Sequence, residues 1–347
     1  MSEVWKASLG LPEQLRWAVA LEVGEVPRAG SALVIGMGGS GISGDFAAQA
    51  ADRGGRLVDV HKGYGLPGRA AVQRPLVVAV SYSGDTEETL SGVEEARELG
   101  LPVTAISTGG ELSRLAERHG WPWVSAPGGL QPRAAVGYLT GAVLRVLAAG
   151  GVLPDQRPVL VEAAALLDEL LGPDEDGAAV ELAGDLAEGL AGKVPVIYGG
   201  RGVAEVAAQR WKTQFNENAK IPAFWAVLPE LDHNEIEGWA WSPARFGLVF
   251  LRDWDDDPRL GRRFELTAEA LGGQPPLVGE VWAQGEGIVA RMLSLAVVGD
   301  LTSVLMAELA GVDPDRVDVL EGIKRRMGEE TSLPPRGRGG EGVSPPP

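Results

Sequence analysis

An α/β fold of two sandwich domains on mainly parallel sheets is what this 347-residue sequence predicts. Three observations carry that expectation. Short aliphatic runs recur, each closed by glycine or small hydroxyl residues; start signals for a helix follow most of them; and the unit of strand, polar turn and helix appears in both halves. Such repetition gathers the loops at the carboxyl edge of a parallel sheet, where ligands bind.

In order, residues 12–23 alternate apolar and charged side chains at helical spacing, as a helix covering a sheet does. Ser31-Ala-Leu-Val-Ile35 is uninterrupted and aliphatic, which suits a buried parallel strand. Gly36-Met-Gly-Gly-Ser-Gly41 follows, and a helix is expected from about Ser40 through residues 42–51. Its glycines leave backbone N–H groups open to close approach, and the helix end favours an anion, most naturally a phosphate. Strands are predicted at 57–60, 75–80 and 102–106; the second runs into Ser81-Tyr-Ser-Gly-Asp-Thr86, with Thr86-Glu87-Glu88 as a helix start. Residues 134–149 read as a buried helix headed by Arg133, whose cation sits poorly at a positive helix end unless it faces an anion or a nearby acid. Helices are expected at 155–171 and 178–191, a strand at 194–198, a helix at 203–217, weaker strands at 248–251 and 276–278, and an apolar helix at 288–309. From Pro334 the chain is Pro, Gly and Arg without apolar pattern, which predicts a disordered tail.

Composition narrows the function. With 45% hydrophobic and 23% charged residues the chain has the balance of a soluble globular protein. The absence of cysteine excludes disulfides, thiolate catalysis and cysteine-ligated metal centres. A net charge of −17 argues against a nucleic-acid partner but not against a small phosphorylated ligand held by a local nest of N–H groups. No run of eighteen or so apolar residues and no secretory leader pattern is found, so a cytoplasmic protein without a membrane partner is expected.

Two readings compete for the glycine loop. Gly36 to Gly41 fits G-x-G-x-x-G, and Asp59 ends the next apolar run where a ribose-binding acid would sit, as in a nicotinamide-dependent oxidoreductase. Against this, Ser40, Ser81, Ser83 and Thr86 place four hydroxyls in two loops, more than a dinucleotide needs and enough to grip one phosphate. Each of them alone could simply cap a helix. Chemistry is expected in Phe215-Asn-Glu-Asn-Ala-Lys-Ile-Pro222 and Leu231-Asp-His-Asn-Glu-Ile-Glu-Gly-Trp239, where Glu217 and His233 could divide proton transfers; surface and structural roles remain their plain alternatives.

Gly36-Met-Gly-Gly-Ser-Gly, Ser81-Tyr-Ser-Gly-Asp-Thr86, Gln131-Pro-Arg133, Asn216-Glu-Asn218 and Asp232-His-Asn-Glu235, with Lys324, together resemble the bifunctional phosphoglucose/phosphomannose isomerases of the sugar isomerase (SIS) superfamily. The serine loops mark the superfamily, and the later segments are more specific. The resemblance implies two flavodoxin-like three-layer SIS domains, residues 1–152 and 153–331, then a tail at 332–347. It implies interconversion of glucose 6-phosphate, and mannose 6-phosphate, with fructose 6-phosphate. Ser40, Ser81, Ser83 and Thr86 would take the phosphate with backbone groups of Gly38 and Gly39. Glu217 would be the base and Arg133 would steady the enediolate. His233, from the neighbouring subunit of a homodimer, and Lys324 would open the sugar ring. No metal or cofactor is implied, and three scattered histidines do not suit the metal-dependent phosphomannose isomerases. A sugar-phosphate sensor that lost its chemistry is the alternative from another class.

Overall fold

The computed structural model describes residues 1–241, 245–273 and 275–330; the predicted tail lies outside the described residues. Residues 1–315 form one compact unit and Arg316 begins another.

The first sheet contains β1 (Ser31–Ile35), β2 (Leu57–His61), β3 (Leu76–Val80), β4 (Val103–Ser107) and β5 (Trp123–Ser125) in the order β2-β1-β3-β4-β5, all parallel. The second contains β6 (Val194–Gly200), β7 (Phe224–Leu228), β8 (Phe246–Arg252) and β9 (Leu277–Trp282) in the order β7-β6-β8-β9, again parallel. Strands buried on both faces read as continuous aliphatic runs because alternate side chains feed different layers. In β1, Ala32 and Val34 join the large core shared by both halves, whereas Leu33 and Ile35 pack with Val93 and Leu115 from helices Glu87–Glu98 and Gly110–His119. In the second sheet, Ile197, Val249 and Leu251 face the shared core, and Tyr198 and Phe250 pack on Phe264 of helix Pro258–Leu271. Each sheet is thus the middle of a three-layer sandwich.

The shared core is closed by helices Gly38–Arg53, Val136–Ala149, Val203–Glu217 and Ile288–Ala310. The last is long and apolar enough to cross a membrane by length and composition, yet its apolar window is 89% buried inside the protein. The opening region differs from expectation: helix Glu3–Leu9 precedes helix Leu11–Ala20, with Gly10 between them, where one helix over 12–23 is expected. Strands β5 and β7 have no counterpart in the expected set. Both are edge strands, and β5 has three residues of which only Val124 is buried, too little pattern to recognise.

At the carboxyl edge of the second sheet an acidic turn follows β8. Arg291 Nη1 donates to both Asp253 carboxylate oxygens at 2.9 and 3.1 Å, and Arg53 Nη1 reaches Asp255 at 2.7 Å. Among the described residues no cation hydrogen-bonds Asp256, which lies against Gly200, where an added Cβ would stand 2.6 Å from its Oδ2. Burial first, and the Asp253 charge second, push its carboxyl up to about 6. A carboxyl whose folded value is raised costs stability once ionised, between its unfolded value near 4 and about 6, and above. Asp256→Asn is therefore expected to raise the melting temperature at pH 7 to 8, by roughly 1 kcal/mol of stability after allowance for solvent screening. The gain should vanish below about pH 4, where both states of the wild type bind the proton. Thermal unfolding from pH 3 to 8 checks this, and a gain that is constant across pH contradicts it.

Candidate active site

The site grows from the carboxyl edge of the first sheet, where β1 and β3 lie side by side and deliver their loops to the same place. Ser40 stands in the first turn of helix Gly38–Arg53, and its Oγ accepts from Tyr82 N at 3.0 Å, which ties the glycine loop to the serine loop. Its hydroxyl hydrogen is left to donate. Ser81 is fully buried and organises its own turn: Oγ accepts from Gly84 N at 3.1 Å and Thr86 N at 3.3 Å and donates to Thr86 Oγ1 at 2.8 Å. Ser83 is exposed and accepts from Asp85 N. Thus Ser40 and Thr86 keep hydroxyl hydrogens for an anion, with the first helical N–H groups beside them.

Gly84 shows why the serine turn needs a glycine. At φ +82° it occupies the left-handed region, and a Cβ there would stand 1.8 Å from Gly109 O.

Tyr82 carries the geometry onward. Its hydroxyl donates to Pro127 O at 2.9 Å and accepts from Leu130 N at 3.1 Å, holding the segment that leads to Arg133. A Cβ on Gly39 would meet Arg133 N and Pro132 O at 2.6 Å, so the loop and the turn bearing Arg133 are backbone to backbone. Arg133 sits in the short 3-10 turn Pro132–Ala134, ahead of the helix expected from 134.

The Arg133 side chain is 3% exposed and donates four hydrogen bonds. Nε donates to Asn218 Oδ1 at 2.7 Å, Nη2 to Pro314 O at 2.7 Å, and Nη1 to Gln131 Oε1 and, at 3.3 Å, to Glu217 Oε2. Burial pulls the guanidinium below its usual range while Glu217 pulls it back, and it stays cationic. Behind it, Arg210 Nη2 donates to Arg133 O at 2.9 Å and to Asp300 Oδ2 at 2.7 Å; burial holds the Asp300 carboxyl above the usual range despite Arg210. Asn218 Nδ2 donates to Ser303 Oγ at 2.9 Å. Two helices of the second half therefore grip the arginine of the first.

Glu217 is the last residue of helix Val203–Glu217, with its side chain 26% exposed, so a carboxylate that meets Arg133 still faces solvent. Lys220 follows at φ +57°, with Nζ donating to Glu217 O and Asn218 O. Tyr82, Arg210 and Asp300 were not expected from the sequence, and Lys220, although inside the 215–222 segment, had no role assigned to it. A charged residue near a helix end and a tyrosine between two serines carry no signal of their own until the chain is folded.

The site residues do not all meet. Ser40, Ser81, Ser83 and Thr86 share one edge, Gly39 adjoins Arg133, and Arg133 meets Glu217. His233 stands apart, at the end of the Glu230–His233 turn that follows β7. Helix Val203–Glu217 leaves the carboxyl edge of the second sheet after β6 and ends at the amino edge, and β7 then returns to the carboxyl edge. Its 15 residues span about 22 Å, so Glu217 and His233 of one chain sit at opposite edges. His233 is exposed, with no hydrogen-bond partner among the described residues, while its neighbours are engaged: Asp232 accepts from Arg263 and Thr267, and Glu235 from Tyr198. Lys324 is exposed on helix Asp318–Glu330 of the second unit.

Asp59, the acid of the dinucleotide reading, ion-pairs with Arg69 Nε at 2.8 Å. The order β2-β1-β3-β4-β5 is the flavodoxin-like one, not the six-stranded order of dinucleotide-binding sheets. An edge that carries hydroxyls and helix N–H groups, joined to a buried arginine and a half-open carboxylate, fits a two-domain SIS protein.

Comparison with known proteins places it further. Residues 27–121 match the SIS domain model and 179–327 that of the bacterial phospho-glucose isomerase C-terminal SIS domain. A bifunctional phosphoglucose/phosphomannose isomerase of Caldicellulosiruptor bescii is 34% identical over 94% of this chain and 99% of its own length. A D-glucosamine-6-phosphate 4-epimerase of Sulfolobus acidocaldarius is 29% identical over 89% and 93%. The structure of a hypothetical protein of Thermus thermophilus superposes with a TM-score of 0.71 at 18% identity, over 95% of this chain and 91% of that one. The chain belongs to the bifunctional phosphoglucose/phosphomannose isomerase family, and it is an isomerase.

Proposed function

We propose that the protein interconverts glucose 6-phosphate, and mannose 6-phosphate, with fructose 6-phosphate through a cis-enediol. The observation that carries this reading is the run of contacts from Ser40 and Gly39 through Arg133 to Glu217, which sets a carboxylate at a fixed remove from an anion-gripping edge. Ser40, Ser83 and Thr86, with the Gly38 and Gly39 backbone, hold the phosphate, Ser81 serves it by fixing the turn that presents Thr86, and that remote grip positions the hexose. Glu217 takes the proton from C2 of the open-chain aldose and returns it to C1. Arg133 lies over the negative charge that develops on the enediolate oxygen, a charge best met by a cation already in place. His233 and Lys324 assist ring opening, with His233 drawn from the partner subunit of a homodimer in the cytoplasm. The division into domains 1–152 and 153–331 belongs to the same reading, and no metal or cofactor enters it.

The test is a pair of coupled assays that follow fructose 6-phosphate formed from each aldose phosphate in the presence of EDTA. Turnover of both is expected. Turnover of glucose 6-phosphate alone removes the second substrate, and silence on both, with sugar phosphate still bound, identifies a sensor.

A further inference from the structure

The end of helix Val203–Glu217 is built in an unusual way. Past the C-cap Asn218 the chain folds back, with Ile221 N donating to Phe215 O at 3.4 Å, and Lys220 sits at φ +57°, in the left-handed region that glycine favours. A side chain there strains the backbone, so something other than the turn favours this one. Its Nζ folds back on the Glu217 and Asn218 carbonyls, the negative end of the helix. Under the proposed reaction, on which this inference rests, that negative end abuts the place where an enediolate forms, beside a phosphorylated sugar. Arg133 is the other cation there, and four of its five N–H donors are committed to Asn218, Gln131, Glu217 and Pro314.

We propose that Lys220 is a positioning residue of the isomerase: its ammonium fixes the helix end that carries Glu217 and offsets the negative pole where anionic charge develops during turnover. Charged groups face it from three segments: Glu217 on its own helix, Arg133 on the Pro132–Ala134 turn, and Asp313 and Asp315 after helix Ile288–Ala310. Lys220 is exposed as a residue, but partial desolvation first, then Arg133, lower its pKa, so its charge is lost at lower pH than that of an ordinary lysine. An alkaline limb in the rate profile follows.

Lys220→Gly separates this role from a structural one, because glycine suits the left-handed backbone and the variant should melt no lower than the wild type. Expected is a fall in kcat of about tenfold or more with KM within roughly twofold, since the lost stabilisation belongs to the transition state. Lys220→Arg should recover much of kcat and move the alkaline limb upward, because a guanidinium does not deprotonate. A Lys220→Gly enzyme with wild-type kcat overturns the inference, as does a Lys220→Arg enzyme with neither recovery nor a moved limb. In the same assay the wild type reports on the underlying reading. A wild type silent on both aldose phosphates removes the isomerase reading and this role with it, whereas an active wild type matched by Lys220→Gly removes only the role.

Discussion

Glu217→Gln is expected to reduce turnover by roughly 10²–10⁴-fold or more while leaving the Kd for sugar phosphate nearly unchanged. The split follows from where the residues lie. The hydroxyls of Ser40, Ser81, Ser83 and Thr86 belong to the edge of the first sheet and take nothing from Glu217. Glutamine is nearly isosteric, and its amide oxygen can still accept from Arg133 Nη1, so the Arg133 cluster keeps its other three partners. What it cannot do is take a proton. Stability should change by no more than about 1 kcal/mol, because the lost ion pair is partly open to solvent. Exchange of the C2 hydrogen with solvent, followed by NMR in deuterium oxide, is the direct reading. Near-normal exchange and turnover in the variant would remove Glu217 from the mechanism.

Much of this arrangement was legible before folding, and the reason is periodicity. The runs at 31–35 and 76–80 are buried on both faces and so show no polar interruption, and the helix expected at 203–217 matches its observed limits. The hydroxyl loops were legible because parallel sheets send alternate turns to one edge. What failed to show was everything set by distant backbone. Ser81 looked like a ligand-facing hydroxyl on equal terms with Ser40, yet it is buried and committed to Gly84 and Thr86. The Arg210–Asp300 pair joins residues 90 positions apart, and nothing local marks either as buried. The left-handed Lys220 was hidden because single-residue φ has no pattern signature when the residue is not glycine. Strand β7 is a five-residue apolar run between prolines with no alternation to mark it as a strand.

Mixing two inactive variants should restore activity, and that is the sharpest consequence of the position of His233. Within one chain the 203–217 helix carries Glu217 to one edge of the second sheet and β7 carries the chain back to the other before His233. For the imidazole to act at the ring oxygen of the sugar, as proposed above, it would have to come from another copy. Under the proposed closed twofold dimer, each site would draw Glu217 from one subunit and His233 from its partner. Glu217→Gln and His233→Ala homodimers are each expected to be impaired, the second by about 10²-fold through slow ring opening. A mixed dimer of the two has one site carrying both defects and one carrying neither. With random pairing, half of the dimers are mixed and half of their sites are intact, so co-expression should return about a quarter of wild-type activity per subunit. If Glu217 and His233 serve the same site from one chain, every site in every pairing keeps one defect. Activity after mixing would then stay at the level of the separate variants, and the cross-subunit histidine would be lost from the mechanism.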